Sequence, residues 1–176
     1  MTSDNGMPRI SRTRASAAGR LLASYPRRED GAECVQALSV ARQWRAQHVE
    51  PTERCFAEVL ECSRTLPQSV ATFRMKRMIS IVRKIQRPGT HFKLGELDDI
   101  GGCRLIAESL EQVETAAAWL ADHLSLKNGA SDKNYVARPQ SSGYRSRHLL
   151  CSVSSDSVSY HVEIQMTCVR LSEACL

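Results

Sequence analysis

Two carboxylates in this chain stand on apolar, β-like runs: Asp99, in Asp99-Ile100-Gly101-Gly102-Cys103-Arg104, and Glu163, in Val162-Glu163-Ile164-Gln165. Between them, Ser142-Gly143-Tyr144-Arg145-Ser146-Arg147-His148 gathers an aromatic, a His and cations. Upstream, a basic stripe runs from Arg74-Met75-Lys76 to Lys84. Proteins built from strands and helices tend to keep their chemistry at strand ends. Carboxylates can hold a hard divalent cation, and Arg and Lys bind phosphates, Arg in bidentate fashion and Lys as a point charge. A Tyr stacked on a base contributes roughly 1–3 kcal/mol. Together these residue types suit a reaction between a metal-bound triphosphate and a stacked base.

Taken singly, each signal also has a plainer reading. An Asp before two glycines is about as often an ordinary turn, although Gly101 and Gly102 also permit close backbone approach by a ligand. Glu163 alternates with Val162 and Ile164, so it points away from their face. It either faces solvent on a one-sided sheet or needs a metal or basic partner, because an unpaired buried carboxylate is costly. Most basic helix faces are merely solvated, but Arg74 precedes the start of the helix, where anions are favoured. Tyr144 reads as a turn aromatic or a stacking platform, and a lone strand His such as His148 is more often a satisfied core residue.

The elements that must position these residues are legible from periodicity. Residues 1 to about 30 hold Ser, Gly, Arg and Pro and read as weakly ordered. Cys34, Leu38, Ala41 and Trp44 recur at helical spacing from about Gly31. Pro51 opens a second helix, with Phe56, Val59 and Leu60 on its apolar side, and Pro67 ends it. An extended stretch over 69–73 precedes a helix from about Met75 to Gln86. There Met78, Ile81, Val82 and Ile85 share one face, and Lys76, Ser80, Arg83, Lys84 and Arg87 the other. Residues 103–107 read as a buried strand. Ser109-Leu110-Glu111-Gln112 is a capping box opening a helix with Val113, Ala117 and Leu120 on its stripe. Residues 135–137 form a weak strand candidate. The runs 147–153 and 158–166 alternate with period two and are joined by a Ser-rich turn, which predicts an antiparallel hairpin. The fold class this implies is α+β: a mixed sheet of about five strands flanked by helices, preceded by N-terminal helices.

Length and composition bound the alternatives. The chain has 176 residues, 42% hydrophobic and 24% charged, ordinary for a globular protein with one domain and extensions. A net charge of +5 favours anionic partners such as nucleotides or RNA. Seven cysteines, none in a C-x-x-C pair and with no secretory signal beside them, read as reduced thiols of a cytoplasmic protein. They form no zinc-ligand cluster. No apolar run approaches the roughly 20 residues of a membrane span.

In order, Arg74-Met75-Lys76, Ser80-Ile81, Lys84, Asp99-Ile100-Gly101-Gly102-Cys103-Arg104, Tyr135, Pro139, Gly143-Tyr144-Arg145-Ser146, His148 and Val162-Glu163-Ile164-Gln165 resemble the synthetase domain of the RelA/SpoT superfamily. The Gly-Gly-Cys-Arg form and the length are similar to the small toxic synthetases of toxin–antitoxin loci more than to the long housekeeping enzymes. The resemblance implies a nucleotidyltransferase-like fold and transfer of the β,γ-pyrophosphate of ATP to a ribose 3′-hydroxyl of GDP or GTP. A toxic branch instead modifies the 3′ end of tRNA, and an inactive nucleotide- or RNA-binding remnant is the third alternative. Carried over by position, Arg74 flanks adenine, and Lys76, Ser80 and Lys84 hold ATP phosphates. Asp99 and Glu163 hold Mg²⁺, with Glu163 also activating the hydroxyl. Tyr144 stacks on the acceptor base, with Arg104, His148 and Gln165 completing the acceptor side. The implied partners are ATP and GDP/GTP, with tRNA, an antitoxin protein and self-association as further possibilities and no membrane.

Three positions depart from the family pattern. Asn134 stands where the family often has Asp, and Gln140 where it often has Lys. After Gln165 the family's basic residue and closing helix give way to Met166 and an aberrant tail over 169–176, which reads as a truncated C-terminus. The expected organisation is a basic segment over 1–30, helices over 31–66, a synthetase core over 67–168, and that tail.

Overall fold

A computed structural model of the chain describes residues 9–24, 31–128, 131–139, 141, 145–155 and 157–169. In chain order the elements are α1 (Arg12–Ser24), α2 (Gly31–Ala46), α3 (Val49–Arg64), β1 (Val70–Met75), α4 (Met78–Ile85), a 3₁₀ turn (Leu94–Glu96), β2 (Gly101–Ala107), α5 (Leu110–His123), β3 (Asp132–Asn134), β4 (Arg147–Ser155) and β5 (Val158–Cys168). They divide into two compact units, Met1–Gln47 with Arg77–Leu97, and His48–Lys76 with Asp98–Leu176.

The first unit is helical. α1 forms within the segment whose composition reads as weakly ordered. Ala15, Ala18, Gly19 and Leu22 make a buried stripe of small residues, too weakly hydrophobic to stand out by composition. Close packing explains the stripe: a Cβ on Gly19 would lie 2.8 Å from Leu94 Cβ, and one on Gly95 would overlap the Arg12 carbonyl oxygen. The Trp44 indole N–H donates to the Leu94 carbonyl, 3.3 Å, and Gln86 Nε2 donates to the Leu22 carbonyl, 2.9 Å. α4 buries Ile81 and Ile85 one turn apart, as its apolar periodicity predicts.

The second unit is built on one mixed sheet in the order β1-β2-β5-β4-β3. β2 and β5 are parallel, and the other pairs are antiparallel. The α+β class and the hairpin of β4 and β5 are as predicted. Strand alternation sorts the side chains onto two faces. Cys103, Leu105, Leu149, Cys151, Val162, Ile164 and Met166 face α3 and α5 and form the core with Cys55, Val59, Val113 and Leu120. Half of the expected capping box at α5 is present: Gln112 N–H donates to the N-cap Ser109 Oγ, 3.2 Å. The Gln112 side chain reaches one residue further back and accepts from the Glu108 N–H, 2.9 Å, instead of from the N-cap amide.

The weak strand candidate over 135–137 is a turn, and the third strand is Asp132–Asn134. Asn134 Oδ1 accepts from the amides of Val136 and Ala137, 3.1 and 2.9 Å. That side-chain turn captures the backbone donors a strand would need. No helix among the described residues is long and apolar enough to cross a membrane.

Candidate active site

The sheet's second face is not covered by α3 or α5, and its register assembles the polar residues in rows. Arg74 pairs with Gly102, and Gly102 with Glu163. In the next row Thr72 pairs with Arg104, Arg104 with Gln165, and Gln165 with His148. Gly102 offers no side chain between Arg74 and Glu163, and a Cβ there would sit 3.2 Å from the Glu163 carbonyl oxygen. The result is a cleft of about 80 Å³ lined by Thr72, Arg74, Asp99, Arg104, Glu163 and Gln165, among others.

Gly101 has a different reason for being glycine. A Cβ there would overlap Thr52 Oγ1 on α3, so Gly101 admits a helix and Gly102 alone opens the cleft. Packing against α3 thus gives Gly101 a structural reason of its own, beside the expectation that both glycines permit ligand approach.

Asp99 lies just before β2. Lys76 Nζ donates to its Oδ2 at 2.6 Å, with both side chains largely buried. The Lys76 amide also donates to the Ile100 carbonyl, 2.8 Å, so β1 and the loop entering β2 are joined twice. Glu163 is held at both oxygens: His148 Nδ1 lies 3.1 Å from Oε1, and Gln165 Nε2 donates to Oε2 at 2.8 Å. Arg104 Nη2 in turn donates to Gln165 Oε1, 3.2 Å. The Tyr135 ring stands edge-on to His148, centroids 5.2 Å apart.

Burial is the largest influence on the Glu163 carboxyl and pushes its pKa up, with the Asp99 charge acting in the same direction. The hydrogen bond and charge of His148, with the Gln165 bond, outweigh them, and the pKa lies below the ordinary value. Glu163 is therefore ionised at neutral pH. The mutual influence of Asp99 and Glu163 places two carboxylates within electrostatic reach at one cleft.

No group of three or more His, Cys, Asp or Glu suited to a metal gathers among the described residues. Two carboxylates nevertheless fit Mg²⁺, which takes few protein oxygens and completes its shell with phosphates and water.

Of the residues singled out in the sequence, Arg74, Asp99, Arg104, Glu163 and Gln165 share the cleft, Lys76 reaches it through Asp99, and His148 through Glu163. Ser80 and Lys84 lie on α4 in the first unit, where Lys84 Nζ sits 5.0 Å from the Phe92 ring centroid. Tyr144 lies outside the described residues. Thr72 was missed. Its signal was two-residue spacing from Arg74 on a strand, which puts both on one face. A larger cavity of about 750 Å³, with Arg54, Glu58, His123, Lys127, Ser152 and His161 on its walls, holds no carboxylate pair, and size alone does not make it the reactive centre.

The mixed five-stranded sheet with its flanking helices matches the fold of solved small alarmone synthetases. Similar solved structures include a GTP pyrophosphokinase family protein from Streptococcus pneumoniae, at 20% identity and a TM-score of 0.59 over 72% of this chain and 68% of that one. Small alarmone synthetase 1 from Bacillus subtilis, bound to its product pppGpp, is similar at 23% identity and a TM-score of 0.58, over 75% and 76%. Small alarmone synthetase 2 from the same organism gives 24% and 0.54, over 80% and 75%. These likenesses establish the fold. No curated protein matches in sequence. The family model of the region found in RelA/SpoT proteins matches residues 73–174, and the chain belongs to that family.

Proposed function

We propose that this chain transfers the β,γ-pyrophosphate of ATP to the ribose 3′-hydroxyl of GDP or GTP, releasing AMP. The observation that carries this reading is the pairing of Asp99 and Glu163 at one cleft with Arg74 and Arg104. Family membership and the pyrophosphokinase and pppGpp-bound relatives support it.

The reaction breaks the Pα–O–Pβ link and forms a bond from the 3′-oxygen to Pβ. Such transfers pass through loose transition states and are catalysed chiefly by positioning and charge stabilisation. Asp99 and Glu163 would hold Mg²⁺, which neutralises phosphate charge when bound. Arg74 would flank the adenine, and Lys76 would meet phosphate at the Asp99 end of the cleft. Arg104, Gln165 and His148 orient Glu163 and the acceptor side through the hydrogen-bond chain that ends on Glu163. An ionised Glu163 is a weak base, and a loose transition state asks for little base strength. Its carboxylate would orient the 3′-hydroxyl and receive its proton as the bond to phosphorus forms. The family motif also assigns Ser80 and Lys84 to ATP phosphates and Tyr144 to the acceptor base.

The test supplies ATP labelled in the β-phosphate, Mg²⁺ and, separately, GDP, GTP or deacylated tRNA. Label on a guanosine nucleotide with matching AMP release is expected. Label on tRNA alone would move the acceptor to the toxin-type reaction, and label on none of them would refute pyrophosphate transfer.

A further inference from the structure

The cleft residues do not account for the polar cluster on Asp98. One oxygen, Oδ1, meets two partners: His161 Nδ1 at 2.6 Å and Lys127 Nζ at 2.9 Å. The three residues come from three places, namely the loop entering β2, the strand β5, and the segment after α5. Lys127 is itself anchored, since its amide donates to the Leu150 carbonyl, 2.8 Å, and Leu126 bridges to Cys151 of β4. Burial is the largest influence on the Asp98 carboxyl and pushes its pKa up. The hydrogen bonds and charges of His161 and Lys127 outweigh it and hold the pKa down, at about 2. Asp98 is thus an ionised acceptor, and His161 presents its Nδ1–H to it.

The positions of these residues matter more than their number. Asp98 immediately precedes Asp99. His161 lies two residues before Glu163, on the same face of β5. A single carboxylate therefore connects the loop bearing Asp99 to the strand bearing Glu163. The placement matters physically: Asp99 and Glu163 are two carboxylates within electrostatic reach of each other. The β2–β5 ladder begins only at Gly101, paired with Val162, so the loop residues before it need side-chain contacts to hold their spacing from β5. The Lys76 pair ties the same loop to β1, on the far side of β2 from β5. It does not fix the loop's distance to β5.

We propose that Asp98, clamped by His161 and Lys127, is a positioning residue that braces the Asp99 loop against β5 and keeps Asp99 and Glu163 at their working separation. The catalytic part of this inference rests on the pyrophosphate-transfer reading. The brace itself does not.

The test compares Asp98→Ala and Lys127→Met with the parent, with Lys127→Arg as the conservative variant. Arg54→Ala is the control, because Arg54 lines the same large cavity but bonds the Ser154 carbonyl, 3.0 Å. Hydrogen exchange is followed at the amides of residues 99–102, alongside kcat, the KM for ATP and the thermal midpoint. Asp98→Ala and Lys127→Met are expected to exchange faster at these amides. They should lose kcat by roughly tenfold to a hundredfold, as small misplacements of reacting groups do, with KM within about twofold. Lys127→Arg should stay near the parent, and Arg54→Ala should match it. Unchanged exchange at residues 99–102 would overturn the brace, as would faster exchange spread evenly over the sheet. Faster local exchange with an intact kcat would overturn its catalytic role. Should Asp98→Ala fail to fold, Lys127→Met carries the test. If the parent transfers no pyrophosphate, the functional reading fails, and the exchange comparison still decides the brace.

Discussion

Lys76 and Asp99 form an ion pair, Nζ to Oδ2 2.6 Å, with side chains 15% and 19% exposed, at the point where β1 ends and the chain enters β2. The same pair brings together a cation that the family motif gives to phosphate and a carboxylate that it gives to the metal. The pair also joins the end of β1 to the segment entering β2, beside the Lys76 amide bond to the Ile100 carbonyl, 2.8 Å.

Breaking one side of the pair should cost more than breaking both. Lys76→Met leaves a largely buried carboxylate without this cation and is expected to destabilise the protein by about 1–3 kcal/mol. The double variant Lys76→Met/Asp99→Asn should recover part of that loss. Denaturant unfolding of the four species measures the coupling. Strict additivity would show that the pair contributes nothing.

His148 should control how acidic Glu163 is. His148→Ala removes the strongest influence lowering the Glu163 pKa, while burial and Asp99 continue to raise it. The acidic limb of the kcat/KM profile should therefore move to higher pH, and a carboxyl NMR titration should show Glu163 shifting the same way. Glu163→Gln should abolish turnover, by at least about a hundredfold if its charge and proton acceptance are both used, with the thermal midpoint largely kept.

Asp98 should make stability acid-sensitive in a defined window. Its pKa is about 2 in the folded chain against an ordinary 3.8. Between those values the unfolded chain binds a proton that the folded chain does not, so stability rises with pH across the window. The contribution is full above 3.8 and is lost as pH falls toward 2. Asp98→Asn should flatten this part of a stability–pH curve, measured by denaturant midpoints. An unchanged slope would contradict the assignment.

Gly101 should not tolerate even a methyl group. Gly101→Ala would drive a Cβ into Thr52 Oγ1, at a cost of about 1–3 kcal/mol in an already packed contact. Thr52→Ala removes that oxygen, so the double variant should be more stable than the sum of the two single changes predicts. Gly102→Ala, beside the cleft, should act differently and impair activity more than stability.

Local sequence carried much of this protein. Period-two alternation over 158–166 places Glu163 and Gln165 opposite Val162 and Ile164, and the β-strand covers Val158–Cys168. The Ser109 cap marks the start of α5 because its bond to the Gln112 amide closes within three residues. The same local signals failed where partners lie far away. The stripe Ala15, Ala18, Gly19 and Leu22 gains its burial only from segments such as Leu94, so composition read it as weakly ordered. The turn after Asn134 escaped because its side chain, rather than its neighbours' hydrophobicity, decides the backbone there.

By itself the sequence determined which residue types are available and which side of each strand and helix they occupy, because those depend on backbone periodicity within a few residues. Only the tertiary structure decided that β5 inserts between β2 and β4, that Gly102 rather than Gly101 opens the cleft, and that Asp98 meets His161 and Lys127. Strand order and long-range polar contacts are set by which surfaces bury one another, and a one-dimensional pattern does not specify that pairing.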